Sequence, residues 1–320
     1  MNAGRIFRRW RLRLRNRRST GGDPRGRVRI VFANGCFDQP LSLEQQPVTP
    51  GVRLSGNPRE AATADAVVFH IPNLRTPMPA KTPGQLWVAW SMECEAHYPL
   101  LADPDFMSQF DLTMTYRRDS DIPLSYIAGD YDGILELLRR PAPPKHPGHV
   151  AASIVSGRFD ACGRRQYLTR LSARMPVHTY GRQGTHRMPS PDRGQLTKRE
   201  VLAYYKFNCA FENAIATDYV TEKFYDPLYA GCVPVYRGAP NVEAFVPGDS
   251  CCIDTSRFHS ADDLAGYLME LDRDEAAYRR FLDWKTRPLR PAFLEYLEFS
   301  TRGPRPIERL ARAVQARRIT

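Results

Sequence analysis

Apolar residues in this chain fall mostly in short strand-like runs, separated by polar or proline-rich stretches. Val28–Phe32, Ala66–His70, Leu86–Trp90 and Leu112–Thr115 are such runs, and each gives way to polar or turn-forming residues. These runs read as strands of parallel sheets whose loops gather at the carboxyl edge. Segments 40–60 and 71–84 are rich in proline and polar residues and read as loops. Pro141, Pro143, Pro144 and Pro147 can propagate neither helix nor central strand, so this cluster is the predicted domain boundary.

A second set of segments follows. Val150–Val155, Val177–Tyr180, Phe207–Phe211 and Val233–Tyr236 read as strands, and Arg164–Ala173, Glu222–Ala230 and Glu275–Trp284 as helices. Ser260 suits an N-cap, Asp262 and Asp263 complement the dipole of the helix it opens, and Leu264, Leu268 and Leu271 form its buried stripe. A last amphipathic stretch, Phe293–Phe299, follows the Pro288–Pro291 break. The expected class is α/β, with two Rossmann-like domains facing a cleft, at residues 26–145 and 146–290. A basic tail, 1–25, precedes them, and a C-terminal helix with a basic tail, 291–320, follows.

The length of 320 residues fits two domains of roughly 150 residues each. No run approaches 18 apolar residues, the length of a membrane span, and the arginine-rich start does not read as a secretory signal. The formal charge of +11 suggests nucleic acid until it is divided. Residues 1–18 hold eight arginines and no acid, and residues 301–320 hold six arginines against Glu308. The body between them is nearly neutral, so no nucleic-acid partner is expected. Ile6, Phe7, Trp10 and Leu14 would share one helix face, which leaves open either an interfacial helix on an anionic membrane or a disordered basic tail. The cysteines, at 36, 94, 162, 209, 232, 251 and 252, show no CxxC or Cys/His zinc spacing. They point to free thiols in a reducing cytoplasm, with the protein cytoplasmic or peripheral on the inner membrane face.

The window Tyr205–Gly238 carries the chemistry. Glu212 and Asn213 fall just past the carboxyl end of a buried strand, where ligands bind in such sheets. Asp218, Tyr219 and Thr221 lie in the following loop, and Thr221 can cap the helix starting at Glu222. Lys223 in that first turn opposes the helix dipole unless an anion is present. Thr221, Glu222 and Lys223 therefore suit a diphosphate and sugar hydroxyls. An ordinary surface Glu/Lys pair is the competing reading.

This window resembles the donor-binding signature of the α-1,3/4-fucosyltransferases, of the bacterial, inverting, GDP-fucose-dependent type. The shared pieces are Tyr205-Lys206-Phe207, Phe211-Glu212-Asn213, Asp218-Tyr219-Val220-Thr221-Glu222-Lys223 and Val233-Pro234-Val235 with Gly238; Ala214 replaces the usual serine. Gly163–Leu168 through Tyr180-Gly181, Trp87–Glu93 and Thr115–Asp121 extend the resemblance over roughly residues 65–285, with Gln183–Arg199 variable.

The resemblance implies the GT-B glycosyltransferase fold and transfer of L-fucose from GDP-fucose to a hydroxyl of an acceptor oligosaccharide or glycolipid. An α-1,3-type linkage is expected, made in one inverting displacement. Glu93 aligns with the family's base, with Glu95 its rival because Glu93-Cys94-Glu95 departs from the family's Glu-Ser-Pro. Arg164, with Arg165 as fallback, and Lys223 would hold the diphosphate; Glu212, Asn213, Tyr219, Thr221 and Glu222 complete the donor side. His97, Tyr116 and Arg117 are the acceptor-side candidates. No cofactor is required and no dedicated metal site is expected, a divalent ion at most stimulating the reaction. Asp119 and Asp121 read as part of a Tyr-Arg-Arg-Asp-Ser-Asp loop rather than a metal motif. Two other readings stand against this one: another nucleotide sugar on the same fold, or a non-catalytic protein binding membrane or nucleic acid through its basic ends.

Overall fold

The computed structural model describes residues 28–319, except Asp38, Pro40, Ser42, 44–49, Thr76, Pro77, Arg182 and Gln183. The arginine-rich segment 1–18, and with it the interfacial-helix expectation, lies outside the described residues. The chain divides into two compact units, each built on its own parallel sheet. One unit runs to Ser125 and takes in Pro304–Thr320, while the other is Tyr126–Gly303.

In the first unit the strands are β1 (Val28–Phe32), β2 (Val52–Ser55), β3 (Ala66–His70), β4 (Leu86–Ser91) and β5 (Leu112–Thr115), in the order β2–β1–β3–β4–β5. Every residue of β3 is buried, as its unbroken apolar run requires of a strand covered on both faces. The edge strand β2 falls inside a segment expected to be loop. Only Val52 of its four residues is buried, so it offers no apolar run to read.

The C-terminal basic tail is corrected. Pro306–Ile319 is a helix. Ile307, Leu310, Ala311 and Val314 form its buried stripe and share an apolar cluster with Val28, Ile30, Val68, Val88 and Trp90. Arg309 donates to the Pro123 carbonyl, and Arg317 to the Asp111 carbonyl and the Asp121 carboxylate. The arginines flank a core-forming stripe.

The second unit contains α1 (Tyr131–Arg139), β6 (Ala151–Ile154), α2 (Arg164–Ser172), β7 (Val177–Tyr180), α3 (Gln195–Ala203), β8 (Phe207–Phe211), α4 (Glu222–Ala230), β9 (Val233–Arg237), β10 (Ile253–Asp254) and α5 (Ala261–Arg273). After them come α6 (Glu275–Arg280) and α7 (Pro291–Thr301). The parallel sheet has the order β10–β9–β8–β6–β7. Its order reverses between β6 and β8, and the carboxyl edge at such a reversal is where open α/β sheets take ligands.

The expected boundaries at 145 and 290 shift. Asp130 caps α1 through the Gly133 N–H at 2.8 Å, and Ile134 and Leu138 join the cluster of Phe224, Leu228, Phe293 and Leu297. Both α1 and α7 thus belong to the second unit's core, and the chain crosses over before the proline cluster. The helix expected over Glu275–Trp284 ends at Arg280. There the Leu282 N–H turns back to the Arg279 carbonyl and the Lys285 N–H to that of Leu282, a tighter winding that buries Trp284. Ser260 caps α5 as expected, accepting the Asp263 N–H at 3.1 Å.

Candidate active site

All five residues of β8 are buried, and Glu212, which follows them, has no exposed surface. The Thr221 N–H donates to Glu212 Oε1 and the Thr221 hydroxyl to Oε2, each at 2.8 Å. Lys223 Nζ lies 3.2 Å from the same Oε2 and 3.0 Å from Thr221 Oγ1. Thr221 Oγ1 also accepts the Lys223 N–H and so caps α4. Gly238 makes room for this arrangement: a Cβ there would come within 2.6 Å of Glu212 Cγ.

Burial pushes the Glu212 carboxyl up, and the Lys223 charge works against that shift. Burial alone would lower Lys223, but Glu212 and Glu222 overcome it and hold the ammonium above its usual range. Glu222 is held down at about 2, because Lys223 and Lys198 outweigh the burial that would raise it. At neutral pH the first turn of α4 therefore presents a cation and an ionised carboxylate together. Glu222 Oε2 is buried without a partner among the described residues, an acceptor whose hydrogen-bonding capacity is unused.

The loop into α4 is pinned. Asp218 adopts φ 66°, its N–H donates to Asn241 Oδ1 at 2.9 Å, and Asn241 Nδ2 returns a bond to Asp218 Oδ1 at 2.8 Å. Tyr219 is 2% exposed, and its carbonyl accepts the Tyr236 hydroxyl. Of the residues expected to touch the donor, Glu212, Tyr219 and Thr221 thus sit beneath the surface and position Glu222 and Lys223.

The chain between β6 and α2 drapes over the end of β8. Three successive β8-end carbonyls are met by it: Phe211 by Arg164 Nη1 at 3.3 Å, Glu212 by the Cys162 thiol at 3.0 Å, and Asn213 by the Ala161 N–H at 2.8 Å. Arg164 Nη2 also donates to the Gly157 and Phe159 carbonyls. Arg164 is 3% exposed and its Nε is buried without a partner. In this structure its guanidinium is buried against the carbonyls of this loop. Arg165 is exposed and donates to the Arg158 carbonyl. Asn213 is half-buried, with Oδ1 buried and without a partner.

In the first unit, Glu93 follows β4. Its N–H donates to Ser91 Oγ at 3.0 Å and its carbonyl accepts the Ser91 hydroxyl at 2.7 Å, a turn that fixes the Glu93 backbone. The rival Glu95 accepts the Tyr116 hydroxyl at 2.6 Å. Tyr116 is buried, and burial together with that bond raises its phenol well above the usual range. Arg117 forks onto Asp119 at 3.1 and 2.8 Å. His97 is half-buried, its N–H on the Cys94 carbonyl. Asp121 accepts the Thr113 N–H and hydroxyl. Among the described residues no group of His, Cys, Asp or Glu is arranged to hold a metal ion.

Three features escaped the sequence. Asp226, 1% exposed on α4, pairs with Lys198 at 3.1 Å and Arg199 at 3.0 Å from α3. Nothing in the variable stretch before α3 signals this. Cys162 gives no signal either. Arg237 ends β9 and could have been noticed as a charge closing an apolar strand. All seven cysteines are free, and no helix among the described residues is long and apolar enough to cross a membrane.

Two Rossmann-like α/β units, one carrying a paired lysine and ionised glutamate at its ligand edge, define a glycosyltransferase of the GT-B type. The family model for the C-terminal part of glycosyltransferase family 10 (fucosyltransferase) matches residues 144–301, and the model for the fucosyltransferase N-terminal part matches residues 28–127. The chain is 36% identical over 286 residues to the Bos taurus 3-galactosyl-N-acetylglucosaminide 4-alpha-L-fucosyltransferase FUT3, covering 82% of this chain and 73% of that one. It is 35% identical over 293 residues to the Homo sapiens 4-galactosyl-N-acetylglucosaminide 3-alpha-L-fucosyltransferase FUT6, covering 85% and 77%. A crystal structure of an alpha1,3-fucosyltransferase shares the fold, with a TM-score of 0.53 at 19% identity over 84% of each chain. The chain belongs to glycosyltransferase family 10, and it is a fucosyltransferase.

Proposed function

We propose that the protein transfers L-fucose from GDP-fucose to a glycan hydroxyl by a single inverting displacement, forming an α-1,3-type linkage. The observation that carries this reading is the α4 N-terminus, where Lys223 pairs with Glu222 at 3.4 Å, Glu222 keeps a buried oxygen without a partner among the described residues, and Glu212 holds Lys223 from below. Lys223 meets the diphosphate, and Glu222 accepts a sugar hydroxyl of the donor. The bond from the acceptor oxygen to the anomeric carbon forms as the bond from that carbon to the diphosphate oxygen breaks. The electron pair leaves with GDP, where the lysine charge offsets it, and the acceptor proton passes to Glu93.

The names of the relatives support an N-acetylglucosamine residue within a galactosyl-N-acetylglucosaminide as the acceptor unit. Thermal melts with GDP, GDP-fucose, GDP-mannose and UDP-galactose test the donor. Stabilisation by GDP and GDP-fucose is expected. Stabilisation by the uridine nucleotide alone would overturn the donor assignment. We also propose a cytoplasmic protein that meets anionic membrane through residues 1–18. The free cysteines support the compartment. Equal partitioning of full-length and 19–320 protein onto anionic vesicles would refute the membrane contact.

A further inference from the structure

Several charges around the carboxyl edge of the second sheet are matched within the described residues. Lys223 pairs with Glu212 and Glu222, and Lys198 and Arg199 share Asp226. Arg164 spends Nη1 and Nη2 on three backbone carbonyls. Arg237 is half-buried at the end of β9, in register with Phe211 and directly beside the Glu212 backbone, whose N–H donates to the Arg237 carbonyl at 2.8 Å. It has no carboxylate partner among the described residues.

Its position is nonetheless fixed. Nε and Nη2 both donate to the Cys162 carbonyl, at 3.3 and 2.9 Å, and the guanidinium lies 4.8 Å from the Tyr167 ring centroid. Tyr167 is itself held edge-on against Phe211. The remaining nitrogen, Nη1, has no hydrogen-bond partner among the described residues. A guanidinium locked by a ring and a carbonyl has surrendered its side-chain entropy, yet half-buried it still lacks a counter-charge. That combination suits an anion arriving from outside the chain.

We propose that Arg237 is a further donor-binding residue, meeting the diphosphate of the nucleotide sugar through Nη1, with Tyr167 and the Cys162 carbonyl as its positioning groups. This rests on the donor-site reading above. It also changes the division of labour. Arg164 organises the loop from within, and Arg237 supplies a guanidinium to the leaving group alongside Lys223.

The test is calorimetric titration of GDP, GMP and guanosine into the full chain and its Arg237→Met and Arg237→Lys variants. Methionine keeps the apolar stem against Tyr167 but removes the charge. The expected result is a loss of about 10–100-fold in GDP affinity for Arg237→Met. Guanosine should change less than about twofold, and Arg237→Lys should recover part of the loss. An equal loss for GDP and guanosine would mean that Arg237 only holds the loop, and unchanged GDP binding would mean that it makes no contact; either overturns the proposal. Wild-type protein that binds none of the three would instead overturn the donor reading itself. Arg237→Asn, which can still donate to a carbonyl, separates loop-holding from charge should the methionine variant not fold.

Discussion

Lys223 Nζ lies 3.2 Å from Glu212 Oε2, a carboxylate with no exposed surface, and the two are joined a second time through the hydroxyl of Thr221. The relationship explains why a lysine occupies a helix first turn, where the dipole disfavours it. Glu212 offsets that cost from below and fixes the position of the ammonium. Removing the carboxylate strands the lysine and the Thr221 N–H, so Glu212→Ala should lower stability by about 3–5 kcal/mol in urea melts. A change under 1 kcal/mol would show that the pair is incidental.

Lys223→Met should act differently. Glu212 is already pushed toward its neutral form by burial, so it can take a proton when the lysine is lost, and the fold should persist. The loss should appear in ligand binding, as GDP affinity weaker by about 10–100-fold in titration calorimetry. Undiminished GDP affinity would remove Lys223 from the diphosphate site.

Glu93→Gln and Glu95→Gln separate the two carboxylates that the sequence left as rivals. Glu95 accepts the Tyr116 hydroxyl at 2.6 Å, and the turn at Ser91 fixes the Glu93 backbone. Glu93→Gln should reduce kcat by about 10²–10⁴-fold with GDP affinity unchanged, as expected for loss of a general base. Glu95→Gln should keep most of kcat. The reverse pattern would transfer the base role to Glu95.

Truncation after Gly303 tests the C-terminal helix. A solvated tail could be removed freely, but this segment buries Leu310, Ala311 and Val314 completely. The leucine and the valine contribute about 1.5–3 kcal/mol each when buried. The 1–303 chain should therefore unfold at clearly lower urea, read by the fluorescence of Trp87 and Trp90. An unchanged midpoint would contradict the packing.

Lys285 gives a pH signature. Its ammonium is 4% exposed and donates to the Leu138 and Leu228 carbonyls at 2.8 and 3.2 Å. Burial, then the charges of Lys145, Arg139 and Arg140, hold its pKa down at about 8 against 10.5. The folded chain therefore releases this proton first, and stability should rise with pH between about 8 and 10.5. The gap between wild type and Lys285→Met should shift in favour of wild type by about 3 kcal/mol across that window, measured by urea melts. A pH-independent gap would mean an unshifted lysine.

What could be read in the sequence followed from burial. β3 and β8 match their predicted limits because each is an apolar run buried along its whole length between two neighbouring strands. β2 and α3 were missed because an edge strand and a surface helix leave no such run. The C-terminal helix was misread because six arginines hid a stripe at Ile307, Leu310, Ala311 and Val314. At the α4 N-terminus, only three-dimensional contacts divide the half-buried Lys223 and Glu222 from Glu212, Tyr219 and Thr221, which lie beneath them. Arg164 turned inward and Arg237 left without a counter-charge depend on a loop crossing over β8, which no local pattern encodes.

The most direct test of the central claim is a transfer assay with GDP-fucose and a galactosyl-N-acetylglucosaminide acceptor, with the product followed by mass and its linkage by methylation analysis. The account predicts one added deoxyhexose per acceptor in α linkage, released GDP in equal amount, and a product absent with Glu93→Gln. Transfer from a uridine nucleotide instead, or fucosylation undiminished in both Glu93→Gln and Lys223→Met, would contradict it.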